Sequence, residues 1–169
     1  MASNSRIGLG RILPIVAVVL GLVSLIGLAL DGITISQEIP FFGKIEASIP
    51  FHNIVFGGTV EIDGVEMGNA EPTGMLVIGI IAILLGSLAS IGAVRSRLIA
   101  PIIAGALLFV GAIICFCTVQ LALGDDYNNL PDELKDVYKL GTGAVLTGVL
   151  ALAAAAVDVV SILFSRKAK

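Results

Sequence analysis

Four long uncharged stretches dominate the chain: Ile12–Leu30, Pro72–Val94, Leu98–Gly124 and Leu140–Ser165, interrupted only by Asp158. Each is long enough to cross about 30 Å of hydrocarbon, which takes roughly 20 helical residues. Inside a bilayer the backbone has no water to bond, so apolar runs of this length must bond internally as helices. The expected spans are residues 12–30, 74–94, 98–123 and 140–164 of a single four-span membrane domain covering residues 1–169. They leave one loop of residues 31–73, a second of residues 125–139 and a tight turn between spans two and three.

Within the spans, small residues recur at steps of three and four. Gly79, Ala82, Gly86, Ala89 and Ala93 mark span two. Ala104, Gly111, Cys115, Thr118 and Ala122 mark span three, with Leu108 filling the gap. Gly141, Ala144, Gly148, Ala151, Ala155 and then Asp158 mark span four, and Ala17, Gly21 and Ser24 mark span one. Lipid is as apolar as a leucine face, so helices in a bilayer associate by close approach and these stripes read as contact faces.

The period changes to two in the first loop. Ile33, Ile35 and Ile39 form one face of a short strand, and Ile45, Ala47, Ile49 and Phe51 alternate with Glu46, Ser48, Pro50 and His52. Thr59–Ile62, Asp63-Gly64 and Val65–Met67 read as a hairpin, since Asp-Gly supplies the positive φ that a two-residue turn requires. A simple two-residue turn sets Ile62 opposite Val65, Glu61 opposite Glu66 and Val60 opposite Met67. Like charges facing across a strand pair are destabilising. Glu61 and Glu66 are therefore either screened by water and salt or form a docking face for a cation or a partner's Lys or Arg. Phe41 and Phe42, between Pro40 and Gly43, either fold onto the helix ends or form an apolar tip suited to a partner or the interface. In the second loop Asn129, Pro131, Asp132 and Glu133 carry helix-start chemistry. On that basis span four is expected to begin near Pro131 and stand proud of the membrane.

Composition agrees with the spans: 57% of residues are hydrophobic and 14% charged, against about a quarter charged in soluble domains. Charge placement sets orientation. Arg6, Arg11, Arg95, Arg97, Arg166, Lys167 and Lys169 flank the termini and the tight turn, whereas Lys44, Lys135 and Lys139 lie in the two loops. The positive-inside rule then places both termini in the cytoplasm and both loops outside a cell membrane. The apolar core of the first stretch is longer than that of a signal peptide, which favours retention as an anchor over cleavage after Gly27-Leu28-Ala29. Twelve of the thirteen carboxylates fall in the two loops, a balance that disfavours nucleic acid and favours cations or basic partners.

Few residues carry chemistry. Cys115 and Cys117 lie inside span three, out of reach of the loops, and read as packing residues. His52 is the only histidine. No catalytic, cofactor-binding or metal-binding constellation is recognisable, so no cofactor and no enzyme activity are expected. Asp158 is the exception in character, because an ionisable group inside a span is costly and is a functional hypothesis by default. At 1.5 Å per residue it lies roughly 12 Å from Arg166 along the helix axis. Ser87 and Ser90 fall at a comparable depth and could hydrogen-bond it. Two roles follow: an acid that fixes helix packing, or a proton or cation relay.

Four spans, inward termini, a long strand-bearing first loop, a tiny turn and a shorter second loop together resemble the layout of claudin-type proteins. That family's first loop carries a Gly-Leu-Trp and two disulfide-bonded cysteines. This chain has neither a Trp nor a loop Cys, so no family residue carries over. The fold class expected is an all-α transmembrane four-helix bundle with a small β-sheet or hairpin formed by the first loop. The function expected is non-catalytic: a structural, adhesive or auxiliary subunit in contact with membrane lipids, binding a protein partner or its own copies through acidic outer loops. The alternative is a small ion, proton or solute transporter that uses Asp158.

Overall fold

The computed structural model describes residues 2–39, 43–62, 65–93 and 99–166. In chain order the elements are α1 (Ala2–Ser24), a 3-10 turn (Leu25–Ala29), β1 (Asp31–Ile39), β2 (Gly43–Pro50), α2 (Phe51–Phe56), β3 (Gly58–Ile62) and β4 (Val65–Ala70). There follow α3 (Gly74–Ala93), α4 (Ile99–Phe116), α5 (Thr118–Asn129), α6 (Asp132–Lys135), β5 (Tyr138–Leu140) and α7 (Thr142–Arg166). The fold is mostly helical with small antiparallel sheets. Four segments, Ile12–Ala29, Gly74–Gly92, Ile99–Phe116 and Thr142–Phe164, are helical, long enough and apolar enough to cross a membrane. Their outward faces carry large exposed apolar side chains such as Ile78, Leu85, Ile99 and Leu163. An apolar surface this extensive is far beyond what a water-soluble monomer tolerates.

By contact density the chain divides into two units, and each long apolar segment contributes residues to both. The first comprises residues 1–25, 79–113 and 148–169. Here the small-residue stripes are the buried positions: Ala17, Gly21, Gly79, Ala82, Gly86, Ala104, Gly111, Ala151 and Ala155 all face inward. Glycine is required where helices meet most closely. A Cβ on Gly86 would lie 2.8 Å from Leu108 Cγ and 3.1 Å from the Ala104 carbonyl, and one on Gly111 would lie 2.8 Å from the Gly79 carbonyl. A Cβ on Gly21 would collide with Ser87 Oγ. Close backbone approach of this kind gives van der Waals contact that larger side chains would prevent.

The second unit comprises residues 26–78 and 114–147. Its three-stranded antiparallel sheet has the order β2-β1-β5, and β3 pairs with β4 in a separate two-stranded sheet. The first loop forms strands as expected, and β1 pairs with β2 along nearly its whole length, from Asp31 opposite Pro50 to Ile39 opposite Gly43. β2 stops at Pro50, and Phe51 opens a helical turn instead of continuing the strand. Phe51 is fully buried beside Ile54 and Val55, and its N–H donates to the Leu30 carbonyl at 2.8 Å. Gly32 is pressed against Phe51 and Ile54, where a Cβ would clash with both. His52 donates from Nδ1 to the Leu28 carbonyl at 3.2 Å.

Three sequence expectations need correction. First, the hairpin begins in the register expected, with Ile62 opposite Val65 and Glu61 opposite Glu66, but Val60 then faces Gly68 and not Met67. The ladder shifts by one residue and Gly68 adopts a φ of +142°, a conformation open to glycine that lets one strand bulge. Second, span four does not begin near Pro131. Helical geometry there lasts only from Asp132 to Lys135, with Pro131 in the N-cap position. The Val137 carbonyl then accepts from Ser36 N–H, and Tyr138–Leu140 forms β5 against β1. The open edge of β1 supplies backbone partners that a continued helix could not use.

Third, span three is not one straight helix. Thr118 donates from Oγ1 to the Cys115 carbonyl at 2.6 Å, and Cys117 N–H reaches back three residues to Ile114. Side-chain competition for helix carbonyls of this kind bends a helix. The break separating α4 from α5 falls at Cys117, and a second interruption at Gly124, with φ +55°, precedes Asp125 and Asp126.

Candidate functional site

The buried acid lies within the first unit. Asp158 is completely inaccessible to solvent, as are Ser87 and Ser90. Helical phase sets this, since Asp158 follows Ala151 and Ala155 on the inward stripe of α7. Ser90 contacts Asp158 Oδ2 at 2.7 Å and the Gly86 carbonyl at 3.0 Å. A hydroxyl has one hydrogen, so Ser90 donates to only one of these acceptors at a time. Asp158 Oδ1 has no hydrogen-bond partner among the described residues.

Ser87, the other residue placed near Asp158 by depth, turns away. Its hydroxyl donates to the Ile83 carbonyl of its own helix at 2.7 Å and packs against Gly21 of α1. Asp158 also lies next to α4, where a Cβ on Gly105 would sit 3.7 Å from Asp158 Cβ. Gly105 and Ala155 belong to a groove of about 410 Å³ with walls from Phe109, Leu152 and Val159, all apolar. One carboxyl and one hydroxyl can form an interhelical hydrogen bond. They lack the second acid or base that paired proton transfer needs.

The second candidate is the loop surface of the second unit. Glu61 and Glu66 occupy directly opposed backbone positions in the β3–β4 hairpin, and the Glu66 side chain is exposed. Phe41 and Phe42, the expected apolar tip, lie outside the described residues, as does the Asp63-Gly64 turn. Lys44 and Glu46, two positions apart on β2 and hence on one face, form an ion pair. Glu46 holds the Lys44 ammonium above its ordinary pKa, first by hydrogen bond and then by charge. Lys44 holds the Glu46 carboxyl below its ordinary range for the same two reasons. Lys135 and Asp132 form a second pair at 3.1 Å. Among the described residues no group of three or more His, Cys, Asp or Glu side chains could hold a metal ion.

Sequence reading missed the junction that joins the two loops. β5 pairs Leu140 with Ile33, Lys139 with Thr34 and Tyr138 with Ile35. Gly141 N–H donates to the Gly32 carbonyl at 2.8 Å, in a space so tight that a Cβ on Gly141 would strike the backbone of Asp31. Tyr138-Lys139-Leu140 carries the alternation of a strand, but three residues ahead of an apolar helix are too few to distinguish from its first turn. No protein-family model matches the sequence, and no curated protein matches it either.

Proposed function

We propose that this chain is a non-catalytic, multi-pass protein of the cell membrane, with both termini cytoplasmic, that acts as a structural, adhesive or auxiliary subunit through its outer loops. One observation carries the proposal: strands from both loops pair in a single sheet, β2-β1-β5. Main-chain bonds from Phe51 to Leu30 and from Gly141 to Gly32 tie this sheet to the segments where the flanking helices end and begin. A loop that only connects helices has no need to order its backbone in this way, and ordering it is entropically costly. A fixed sheet instead presents side chains in constant register, which is what recognition of another protein requires. The layout resemblance to claudin-type proteins supports the proposal at the level of architecture, and the acidity of the loops favours a partner with basic side chains.

The test is purification from native membranes in a mild detergent, followed by mass measurement of the intact assembly. A discrete complex larger than one chain, dispersed by substitutions on the loop surface such as Glu61→Gln with Glu66→Gln in the β3–β4 hairpin, supports the proposal. A monodisperse single chain that leaves the membrane with no protein partner sinks it.

A second reading, transport of a proton or small cation by way of Asp158, draws on the unpartnered Oδ1 atom in the helical unit. Flux through proteoliposomes that disappears in Asp158→Asn, while the fold is retained, would favour transport over the structural role.

A further inference from the structure

We infer that the free edge of β2 is a self-association surface, where a second copy of this chain adds its own β2 antiparallel to the first with Ile45 opposite Ile45. This inference rests on the proposed role of the outer loops in assembly and names the partner. Among the described residues β2 is the outer strand of its sheet and forms a ladder with β1 alone. β3 comes near it, but no ladder joins them and the two sheets are separate. Residues Gly43 to Glu46 are exposed, the Ile45 side chain is 49% exposed, and the Lys44 and Glu46 side chains are 53% and 58% exposed. An uncovered strand edge is a template for pairing with another chain, and native proteins commonly blunt it with a lone charge, above all lysine.

The charge on this edge is different. Lys44 is answered by Glu46 two residues on, so the edge is neutral and reads the same in a second copy. In an antiparallel pair, residues directly opposite each other share a face. With Ile45 on the two-fold axis, Lys44 of each copy stands opposite Glu46 of the other, and Gly43 stands opposite Ala47, where neither side chain obstructs approach. Sliding the pair by two residues in either direction sets Lys44 against Lys44 or Glu46 against Glu46. Sliding it by one residue exchanges the faces of the sheet. Only one nearby register is therefore self-complementary. The setting sharpens the point, because the two loops together hold twelve carboxylates and three lysines. Two copies meeting elsewhere on these loops would in general oppose like charges.

The experiment uses the full chain in lipid nanodiscs or mild detergent, with self-association read by sedimentation or by energy transfer between labelled copies. Lys44→Glu and Glu46→Lys each set like charges across the pair twice, so each variant alone should lose self-association by roughly tenfold or more. Mixed together, the two variants should recover it, since the K44E copy then faces the E46K copy with opposite charges at both positions. The double exchange, with Lys44→Glu and Glu46→Lys in one chain, should associate like the parent. Oxidative cross-linking of Ile45→Cys should exceed that of cysteine placed at position 44 or 46, with the parent chain as control for its two native thiols. These substitutions fall on exposed positions, and unchanged helicity confirms that each variant folds.

Equal association of both single variants with the parent, or no recovery in the mixture, overturns the inference. So does a cross-linking maximum away from position 45. If the chain instead purifies in a discrete complex with a different protein that is indifferent to K44E, the self-association inference falls while the subunit role stands. If it forms no assembly of any kind, both fall.

Discussion

Asp158 and Ser90 test how the helical unit is held together, because their hydrogen bond predicts an order of variant stabilities that charge-dependent schemes do not share. In Asp158→Asn the side-chain volume is kept and the amide N–H can donate to Ser90 Oγ, while Ser90 donates to the Gly86 carbonyl that already lies 3.0 Å away. The expected change is within about 0.5 kcal/mol, since one Ser90–residue 158 hydrogen bond replaces another at unchanged volume. In Asp158→Ala an interhelical bond is lost, worth about 0.6 kcal/mol on average and at most about 1.7 within a membrane. A small void adds to this, and removal of the unpartnered Oδ1 offsets part of it, leaving a net cost of about 1 kcal/mol.

Ser90→Ala is predicted to be the most damaging, at about 2–3 kcal/mol, because it strips a fully buried carboxyl of its only hydrogen-bond partner among the described residues. Combining Ser90→Ala with Asp158→Ala should cost little more than Asp158→Ala alone, so the two sites are strongly non-additive. The assay is reversible unfolding in mixed micelles of mild detergent and dodecyl sulfate, followed by helix circular dichroism. Asn as costly as Ala at position 158, or Ser90→Ala milder than Asp158→Ala, would refute the account and show that the carboxyl is held by something other than Ser90.

Three further outcomes follow from packing and charge. Gly86→Ala should force α3 and α4 apart and cost about 1–3 kcal/mol in the same unfolding assay, whereas Gly92→Ala, whose new methyl would meet, among the described residues, only Ala100 Cβ at an ordinary 3.6 Å, should be neutral or slightly stabilising. Phe51→Ala removes the largest fully buried side chain among the described residues and should cost about 3–5 kcal/mol, read as early loss of amide-exchange protection in β1 and β2. The Lys44–Glu46 pair should give a pH signature in the local stability of β2. Glu46 is lowered from 4.5 and Lys44 raised from 10.5, so the contribution is fully present between those two values. It is lost as pH falls through the lowered Glu46 pKa or rises through the raised Lys44 pKa. Strong salt should blunt it, because both groups are exposed.

The helices were legible from sequence because two independent signals agree, length without charge and a small-residue stripe of helical period. That agreement placed Asp158 on an inward face and Ser90 within reach of it. Ser87 at similar depth could not be told apart, because a serine in a helix can bond its own carbonyl four residues back, and depth alone does not reveal which serine does so. The first-loop strands were legible through period-two alternation, and the Asp-Gly pair fixed the start of the hairpin register. The bulge was hidden because it turns on the unusual backbone of Gly68, which the sequence shows only as a glycine. β5 was hidden for a deeper reason: a three-residue strand is specified by the edge it meets, and that edge lies about a hundred residues earlier. The helix-start residues near Pro131 did produce a helical turn, but tertiary pairing ended it within four residues.

The distance along the chain between β1 and β5 also bears on biogenesis. Translation delivers Asp31–Ile39 early, yet Tyr138–Leu140 follows only after α3, α4 and α5 have been made. Until then β1 has one partner, and the edge that will receive β5 is open to whatever else is nearby, including other nascent copies. Completion of the sheet thus coincides with arrival of α7, the fourth long apolar helix in chain order. A chain truncated before Tyr138 would hold three of the four long helices and most of the sheet while leaving that edge uncapped. Such a product would lack β5 and α7 and would leave open the edge of β1 that β5 otherwise pairs, a feature on which quality control can act.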